Sequence, residues 1–262
     1  MQDIHAIFET GAATHVGKVR LRNEDSYLTR PEVGIWAVAD GMGGHDHGDI
    51  ASQTLIDALR SIEHPTSAAD LLSRCEKQVA IANGRLKTIS RERGGATIGT
   101  TVAVLLAYGS HYACVWSGDS RIYVVRAGRL SQLSRDHTEV QDLLSEGVIT
   151  PAEAKTWPGS NAITRAIGVF DEPELEITSG PLQPGDSFII CSDGLTQHVH
   201  DDEILSCVRA NLSQQACDWL LELTLERGAT DNVTIIVVRY RAEAKPPTRS
   251  GAEPDDLWES SE

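Results

Sequence analysis

The sequence is short of cysteine, of basic residues and of long apolar segments, and each shortage excludes a class of protein. The chain has five cysteines, an odd number, and no two of them form a Cys-x-x-Cys pair. This usage favours reduced, mostly buried thiols in a reducing compartment over a disulfide framework. The spacing Cys-x5-Arg, with which cysteine phosphatases hold phosphate, does not occur either, so we do not expect a thiol nucleophile.

Basic residues are outnumbered by acidic ones. The chain has 23 Lys and Arg against 38 Asp and Glu, which gives a formal net charge of -15. Surfaces that bind nucleic acid need clustered Lys and Arg to contact the phosphates, so no nucleic-acid partner is expected. The acidic excess is compatible both with a solvated surface and with carboxylates gathered to bind cations.

No apolar run approaches the roughly 20 residues of a membrane-spanning helix. The longest runs, such as TVAVLLAY at 101–108, are much shorter. The N-terminal residues, MQDIHAIFETG, show no basic patch followed by an apolar stretch, so no signal peptide is predicted. We therefore expect a cytoplasmic protein without a membrane partner, and a monomer as the default oligomeric state.

Runs rich in Val and Ile, bounded by Gly, Asp or Ser, predict six strand regions. They are residues 34–40, 100–108, 111–119, 121–133, 186–193 and 232–240. The turns YGSH and RAGRL join the middle runs as hairpins, so the sheet is largely antiparallel. Apolar residues at helical spacing predict helices over 51–62, 71–89, 201–210 and 214–226. Grouped strands and grouped helices indicate an α+β layered sandwich.

Two segments differ from this pattern. Residues 136–168 carry short helical stretches and loops, which predict a small insertion over the edge of a sheet. Residues 241–262 are rich in Pro, Ser and acid, which predicts a disordered acidic tail. The folded domain is therefore expected over residues 1–240.

Four aspartates, Asp40, Asp119, Asp193 and Asp231, each stand at the end of a predicted strand, next to or near a glycine. One such aspartate is usually a turn residue, but four in a matching context favour a shared site. If the strands are neighbours, the carboxylates meet at one edge, where they repel and raise each other's pKa. A hard divalent cation would relieve this repulsion, and oxygen ligands favour Mg²⁺ or Mn²⁺ over Zn²⁺.

Seven segments, in this order along the chain, resemble the bacterial metal-dependent serine/threonine protein phosphatases of type 2C, the PPM family. They are GKVRLRNEDS, WAVADGMGGHDHGDIAS, GTTVAVLL, WSGDSRIYVVRAGRLSQLSRDHT, WPGSNAITRAIG, CSDGLTQHV and ATDNVTIIVV. The resemblance implies a four-layer αββα sandwich, two antiparallel β-sheets flanked by helices, with a flap insertion at about 136–168. It also implies hydrolysis of phosphoserine and phosphothreonine in proteins by a metal-activated water, opposing a bacterial Ser/Thr kinase.

The family's metal ligands are carried over motif by motif. The resemblance implies two ions, Mn²⁺ or Mg²⁺, which Asp40 would bridge. The Gly41 carbonyl, Asp193 and Asp231 would complete the direct ligands. Asp119, with Asp193, would bind a third and weaker ion.

Other polar residues surround these positions in the motifs. By resemblance, Glu24 and Asp25 would hold water molecules bound to the ions, and Asn232 would support the ligands from behind. Arg20 matches the arginine that binds the substrate phosphate. Without the family, the segment VRLRNEDS is expected to be a charged surface segment.

The sequence departs from the family pattern at two places. Met42 stands where eukaryotic relatives often have a histidine that acts as general acid. His45 is the nearest substitute, as a residue for substrate binding or proton transfer, while His47 is expected to be a surface residue at a helix start. In the flap, Trp157 precedes Pro158 where relatives commonly have histidine; it would either contact the substrate or pack the flap down.

Three functions follow from these patterns. The first is an active phosphoprotein phosphatase, and the second is a pseudophosphatase kept for docking. The third is a metal-dependent phosphoesterase acting on small molecules or nucleic acid, of which the acidic charge disfavours nucleic acid. All the direct metal positions are present, which argues against the second.

Overall fold

The computed structural model describes residues 7–43, 47–154, 157 and 162–241. In this part of the chain, eleven strands form two sheets, and every strand pair is antiparallel. The first sheet contains, in spatial order, β1 (Ile7–His15), β11 (Val233–Arg241), β10 (Ser187–Cys191), β7 (Arg121–Arg126) and β8 (Arg129–Gln132). The second contains β2 (Asp25–Arg30), β3 (Ile35–Gly43), β5 (Val102–Tyr108), β6 (His111–Ser117) and β9 (Glu176–Pro181). The short strand β4 (Ile98–Thr100) pairs with the end of β3.

Helices cover the outer face of each sheet. The second sheet carries α1 (Gly48–Arg60) and α2 (Ala68–Glu92), and the first carries α6 (Asp201–Ala210) and α7 (Ser213–Glu226). Three shorter helices are α3 (Glu139–Ser145), α4 (Pro151–Ala154) and α5 (Asp193–Thr196). The layers thus follow the order helix, sheet, sheet, helix, which confirms the predicted αββα sandwich.

Three apolar cores hold the four layers together, one between the sheets and one under each helical layer. Strand β3 shows how the sequence produces this arrangement. Ile35, Ala37 and Ala39 pack against the helical layer, whereas Trp36 and Val38 pack between the sheets. Because side chains alternate along a strand, a strand covered on both faces must be apolar at every position. The central strands can therefore be predicted from continuous apolar runs in the sequence.

Two of the edge strands, β1 and β9, were not predicted from the sequence. β1 reads IFETGAATH and β9 reads EITSGP, and both lie at the edge of a sheet. Gly, Pro and small polar residues lower strand propensity, but an edge strand tolerates them because one side makes no ladder. At Gly11 in β1, an added Cβ would lie 2.4 Å from the backbone nitrogen of Gln214. The small residues of β1 therefore let α7 approach the sheet.

All five cysteines are buried and unpaired, as predicted. Burial raises the pKa of the Cys75 thiol, and likewise of Cys191, to about 12. Neither thiol is therefore ionised at neutral pH, which argues against a covalent cysteine mechanism. In the portion of the chain with described coordinates, no helix is both long and apolar enough to cross a bilayer. The predicted tail lies outside the described residues except for Arg241, which still belongs to β11.

Gly84 offers a test of the helical layer. It lies inside α2, and an added Cβ would meet no atom within 4 Å. Alanine is favoured over glycine inside helices by about 0.5–1 kcal/mol. We therefore expect Gly84→Ala to raise the thermal unfolding midpoint by about 1–4 °C. A scanning-calorimetry melt measures this, and a lower midpoint would contradict the packing described for α2.

Candidate metal centre

The strand-end aspartates come together at one end of the sandwich. Asp25, at the start of β2, lies directly opposite Asp40 in the β2–β3 register. Asp40 stands where β3 leaves the main sheet and begins to pair with β4. Asp193 follows β10, and Asp231 precedes β11. Strands from both sheets thus deliver carboxylates to the same point.

Burial and mutual repulsion raise the pKa of these carboxyl groups. Burial raises the pKa of Asp40 well above its usual range, and the charges of Asp25, Asp193, Asp119 and Asp231 raise it further. Burial, with Asp193 nearby, raises the pKa of Asp25 and that of Asp119 to about 7 each. Such a cluster is unfavourable without a cation, because desolvation and like charges both disfavour the ionised form.

Two carboxylate oxygens of the described cluster lack a hydrogen-bond partner. Among the described residues, Asp25 Oδ1 and Asp193 Oδ1 are buried without a hydrogen-bond partner. The second oxygen of Asp25 accepts a hydrogen bond from Ser192 Oγ at 2.8 Å, and that of Asp193 accepts one from Gln197 Nε2 at 2.6 Å. Buried polar atoms are normally paired, and carboxylate oxygens are the ligands of hard divalent cations. The residues therefore fit a Mg²⁺ or Mn²⁺ centre.

The carboxylates are not arranged as a closed coordination shell. No three acidic, histidine or cysteine side chains of the described residues are grouped as a metal site. Asp231 Oδ2 is held by Arg20 Nη2 at 2.7 Å, and Gln197 holds Asp193. Asp193 could bind an ion through its unpaired Oδ1, whereas Asp231 Oδ2 would have to exchange Arg20 for the ion.

Two glycines allow the backbone to pack closely behind the carboxylates. An added Cβ on Gly41, after Asp40, would lie 1.9 Å from the Gly48 carbonyl oxygen. An added Cβ on Gly194, after Asp193, would lie 1.9 Å from the Asn232 carbonyl oxygen. No side chain can be accommodated at such distances, so Gly41 lets β3 approach the start of α1, and Gly194 lets the segment after β10 approach the start of β11.

Hydroxyl groups that sequence reasoning missed hold Asp40 in place. Its backbone N–H donates to Thr101 Oγ1 at 3.0 Å, and its carbonyl accepts from Thr101 N at 2.8 Å and Thr100 Oγ1 at 3.0 Å. Ser120 Oγ pairs with Thr101 Oγ1 at 2.7 Å. Both threonines belong to the segment GTTVAVLL, which is part of the family resemblance, but the sequence alone does not indicate that they bind Asp40.

Asn232 holds the loop that carries Arg20. Its side-chain nitrogen donates to the carbonyl oxygens of Val16 and Arg22, at 2.9 Å each. Its side-chain oxygen accepts from the backbone N–H of Glu24 at 2.7 Å. The predicted supporting residue is thus fully hydrogen-bonded, and it fixes both ends of the loop to the start of β11.

Asp119 lies on the turn between β6 and β7, beside a cavity of about 310 Å³ that Asp193 and α3 also border. His137, which the sequence did not single out, holds this turn. Its Nδ1 accepts from the backbone N–H of Gly118 at 3.1 Å, and Glu176 Oε1 lies 3.2 Å from its Nε2. Because Nδ1 is an acceptor, Nε2 carries the proton and donates to Glu176.

The two histidines between β3 and α1 were given different expectations, and only one of them lies within the described residues. His45 lies outside the described residues. His47 directly precedes α1, as predicted for a helix-start residue, and its Nδ1 lies 2.6 Å from Arg93 Nη1. Trp157 is half-buried, and its backbone N–H donates to the Ala154 carbonyl at 3.3 Å; its two expected roles stay predictions.

Comparisons with known proteins agree with the geometry. A family model described as protein phosphatase 2C matches residues 14–220. The serine/threonine protein phosphatase PstP of Mycobacterium tuberculosis is 35% identical over 256 residues, which is 96% of this chain and 49% of that protein. This chain thus spans about half the length of PstP. Protein phosphatase PhpP of Streptococcus pneumoniae is 30% identical over 243 residues, covering 90% of this chain and 98% of PhpP.

A solved structure shows the same fold with ions bound. The catalytic domain of PstP, in complex with two manganese ions, superposes with a TM-score of 0.82 at 34% identity, covering 90% of this chain and 99% of that one. The described carboxylate cluster, the sandwich and the sequence matches thus lead to one assignment. The chain belongs to the protein phosphatase 2C family of serine/threonine protein phosphatases.

Proposed function

We propose that this chain hydrolyses phosphoserine and phosphothreonine in proteins, with divalent cations at the carboxylate cluster. The observation that carries the proposal is a set of buried and half-buried aspartates, two of whose described oxygens are buried and unpaired, at the same end of the fold as an exposed arginine. The relatives PstP and PhpP are phosphatases by name. The extent of the domain, residues 1–240 with a flap at about 136–168, is part of the proposal.

Two ions, Mn²⁺ or Mg²⁺, would be held by Asp40, the Gly41 carbonyl, Asp193 and Asp231. When bound, such ions supply a nucleophile at neutral pH by lowering the pKa of water, and they stabilise charge on phosphoryl oxygens. A third ion would take Asp119 together with Asp193.

Glu24 and Asp25 offer further oxygen acceptors at the edge of the centre. Burial raises the pKa of the Glu24 carboxyl, and its Oε1 accepts from the backbone N–H of Gly48 at 3.3 Å. Both carboxylates would accept hydrogen bonds from water around the ions. Asn232, which holds Glu24 through its backbone, would keep this acceptor in position.

Arg20 is suited to bind the substrate phosphate. Its guanidinium is half-exposed, and its partner Asp231 is one of the proposed ligands. If Asp231 exchanged this partner for an ion, the planar fork of Arg20 would be free to bind two phosphate oxygens. It would orient the phosphoryl group and stabilise its charge during in-line displacement. The departing serine or threonine oxygen needs a proton, and His45 is a candidate donor.

A covalent route through cysteine is disfavoured, because the thiols are buried. A phosphoenzyme on one of them would need an ionised sulfur exposed to substrate. Direct attack of water therefore fits this chain better. We further propose that the enzyme acts as a monomer in the cytoplasm and opposes a bacterial Ser/Thr kinase.

The proposal is tested by hydrolysis of a phosphothreonine peptide with purified protein. We expect turnover with Mn²⁺ and a loss of at least about 100-fold after chelation, because the nucleophile depends on the ions. Parallel titrations with Mn²⁺ and Mg²⁺ compare the two ions, and a thermal shift on adding metal reports binding without turnover. No turnover with metal present, in a protein that the metal stabilises, would contradict phosphatase activity and favour a docking protein.

A further inference from the structure

The loop that carries Arg20 presents two apolar side chains to solvent. We call residues 16–23 the arginine loop. Leu21 is 99% exposed and Val19 is 64% exposed, and Leu21 is the most exposed large apolar residue of the described part of the chain. A single exposed leucine is ordinary on a protein surface. Here the two apolar residues alternate with Lys18, Arg20 and Arg22 in the segment KVRLR.

The arginine loop is fixed, so its exposed side chains are held in place. Besides the two hydrogen bonds from Asn232, Lys18 N donates to the Ala229 carbonyl at 2.8 Å. Gly17 has a φ of +81°, and an added Cβ there would lie 2.2 Å from the Asp231 carbonyl oxygen. Asn23 Nδ2 donates to Thr14 Oγ1 at 2.8 Å. A loop held in this way presents Leu21 without the entropy cost that ordering a mobile loop would add on binding.

The position of the loop indicates its ligand. Arg20 contacts the proposed metal ligand Asp231, so Val19 and Leu21 flank the residue that would bind the phosphate. A phosphorylated residue reaches the site as part of a protein chain, whose neighbouring side chains must lie over the adjacent surface. The three basic residues of the loop complement a phosphopeptide, whereas the chain as a whole is acidic.

We propose that the arginine loop is a substrate-docking surface, on which Leu21, with Val19 beside it, contacts an apolar side chain next to the phosphorylated residue of a phosphoprotein. The inference rests on the proposed function, because it assigns the substrate class of the same site. It makes Leu21 a specificity residue and leaves the chemistry to the carboxylate cluster.

The test uses a phosphothreonine peptide in a background of Ser and Gly, and a set in which one Leu replaces each of the three residues on either side in turn. We expect the wild-type protein to prefer Leu at one or two of these positions by about 5- to 20-fold in kcat/KM, as for burial of one apolar side chain. The preference should act mainly through KM. Leu21→Ser should reduce it to about twofold or less, and Leu21→Met should restore it.

Leu212→Ser is the matched control. Leu212 is 52% exposed, and the carbonyl of its neighbour Asn211 accepts from Arg239, towards the end of β11 opposite to Asp231. This variant should keep the wild-type preference. Activity on the parent peptide without Leu normalises each preparation for its working fraction.

The outcomes separate this inference from the proposed function. If the wild-type protein with Mn²⁺ hydrolyses neither the parent peptide nor any Leu peptide, the proposed function fails. If it hydrolyses all peptides equally, or if Leu21→Ser keeps the preference, the function stands and the docking surface is wrong. Sedimentation of the wild-type protein and of the Leu21→Ser variant tests whether a second copy of the chain binds to the arginine loop instead. Self-association that Leu21→Ser abolishes, with unchanged peptide preference, would assign the loop to a second copy of the chain and overturn the proposal.

Discussion

Asp40→Asn is expected to abolish turnover of a phosphothreonine peptide and, at the same time, to stabilise the metal-free protein. The expected loss of kcat is at least about a thousandfold, because Asp40 is one of the proposed ligands of the ions that would supply the nucleophile. The free energy of unfolding in a chelator should rise by about 1–3 kcal/mol. Activity and stability therefore change in opposite directions.

The physical reason is the charge carried by the cluster. Asp40 is half-buried, burial raises the pKa of its carboxyl, and the charges of four other aspartates raise it further. Asn has the same shape as Asp but carries no charge, so the variant removes both the desolvation cost and the repulsion. The backbone bonds to Thr100 and Thr101 remain. The metal-free fold should consequently become more stable while the cation site becomes weaker.

The measurement combines initial rates with melts in chelator and in excess Mn²⁺. The wild-type protein should gain more stability from Mn²⁺ than the variant, because ligand binding to the folded state stabilises it by mass action. Asp57→Asn is the control, since Asp57 is exposed on α1 and pairs with Arg60; its effect should stay within about 0.5 kcal/mol. A variant at Asp40 that keeps full activity, or that melts below wild type in chelator, would show that Asp40 is not the charged centre of the cluster.

Much of the fold could be predicted because its central strands are covered on both faces. Continuous apolar runs such as GIWAVAD and DSFIICSD end in aspartates of the candidate site. The pattern that predicts a strand therefore also locates a candidate metal ligand at its end. The edge strands β1 and β9 lack this pattern, because pairing on one side tolerates Gly and Pro. Their positions follow from pairing with β11 and β6, which lie far away in the sequence.

The sequence predicts which residues belong to the candidate site, but it does not predict which of them are in contact. Asp40 and Asp193 stand out because each is followed by Gly at the end of an apolar run. By contrast, the bond between Arg20 and Asp231 joins residues 211 positions apart, and no local pattern contains it. The same holds for His137, whose partner Glu176 lies on a strand that the sequence did not reveal. Such pairs depend on strand register, which single-sequence patterns do not specify across sheets.

Asn232→Asp is expected to separate the arginine loop from the metal centre. The substitution keeps the size of the side chain but replaces its donor nitrogen with an oxygen. That oxygen would face the carbonyl oxygens of Val16 and Arg22, which now accept at 2.9 Å each. Two hydrogen bonds become repulsive contacts, and a further negative charge enters a cluster of carboxylates. We expect a loss of about 2–4 kcal/mol of folding free energy.

The kinetic effect should exceed what instability alone produces. With two of its anchoring hydrogen bonds lost, the loop holds Arg20 less firmly beside Asp231. We expect kcat/KM for a phosphopeptide to fall at least about 100-fold at a temperature where the variant is still folded, since misplaced binding groups lose that much catalysis.

Asn83→Asp provides a matched comparison for this loss. Asn83 is also buried, and it makes the same three kinds of bond: its Nδ2 donates to the carbonyls of Phe170 and Asp171, and its Oδ1 accepts from Gly168 N. Its substitution should cost similar stability, but it leaves Arg20 in place and should lower kcat/KM by less than about tenfold. Equal kinetic losses in the two variants would mean that general destabilisation, and not the position of Arg20, controls activity. A larger loss for Asn232→Asp would establish that Asn232 acts through the loop that it holds.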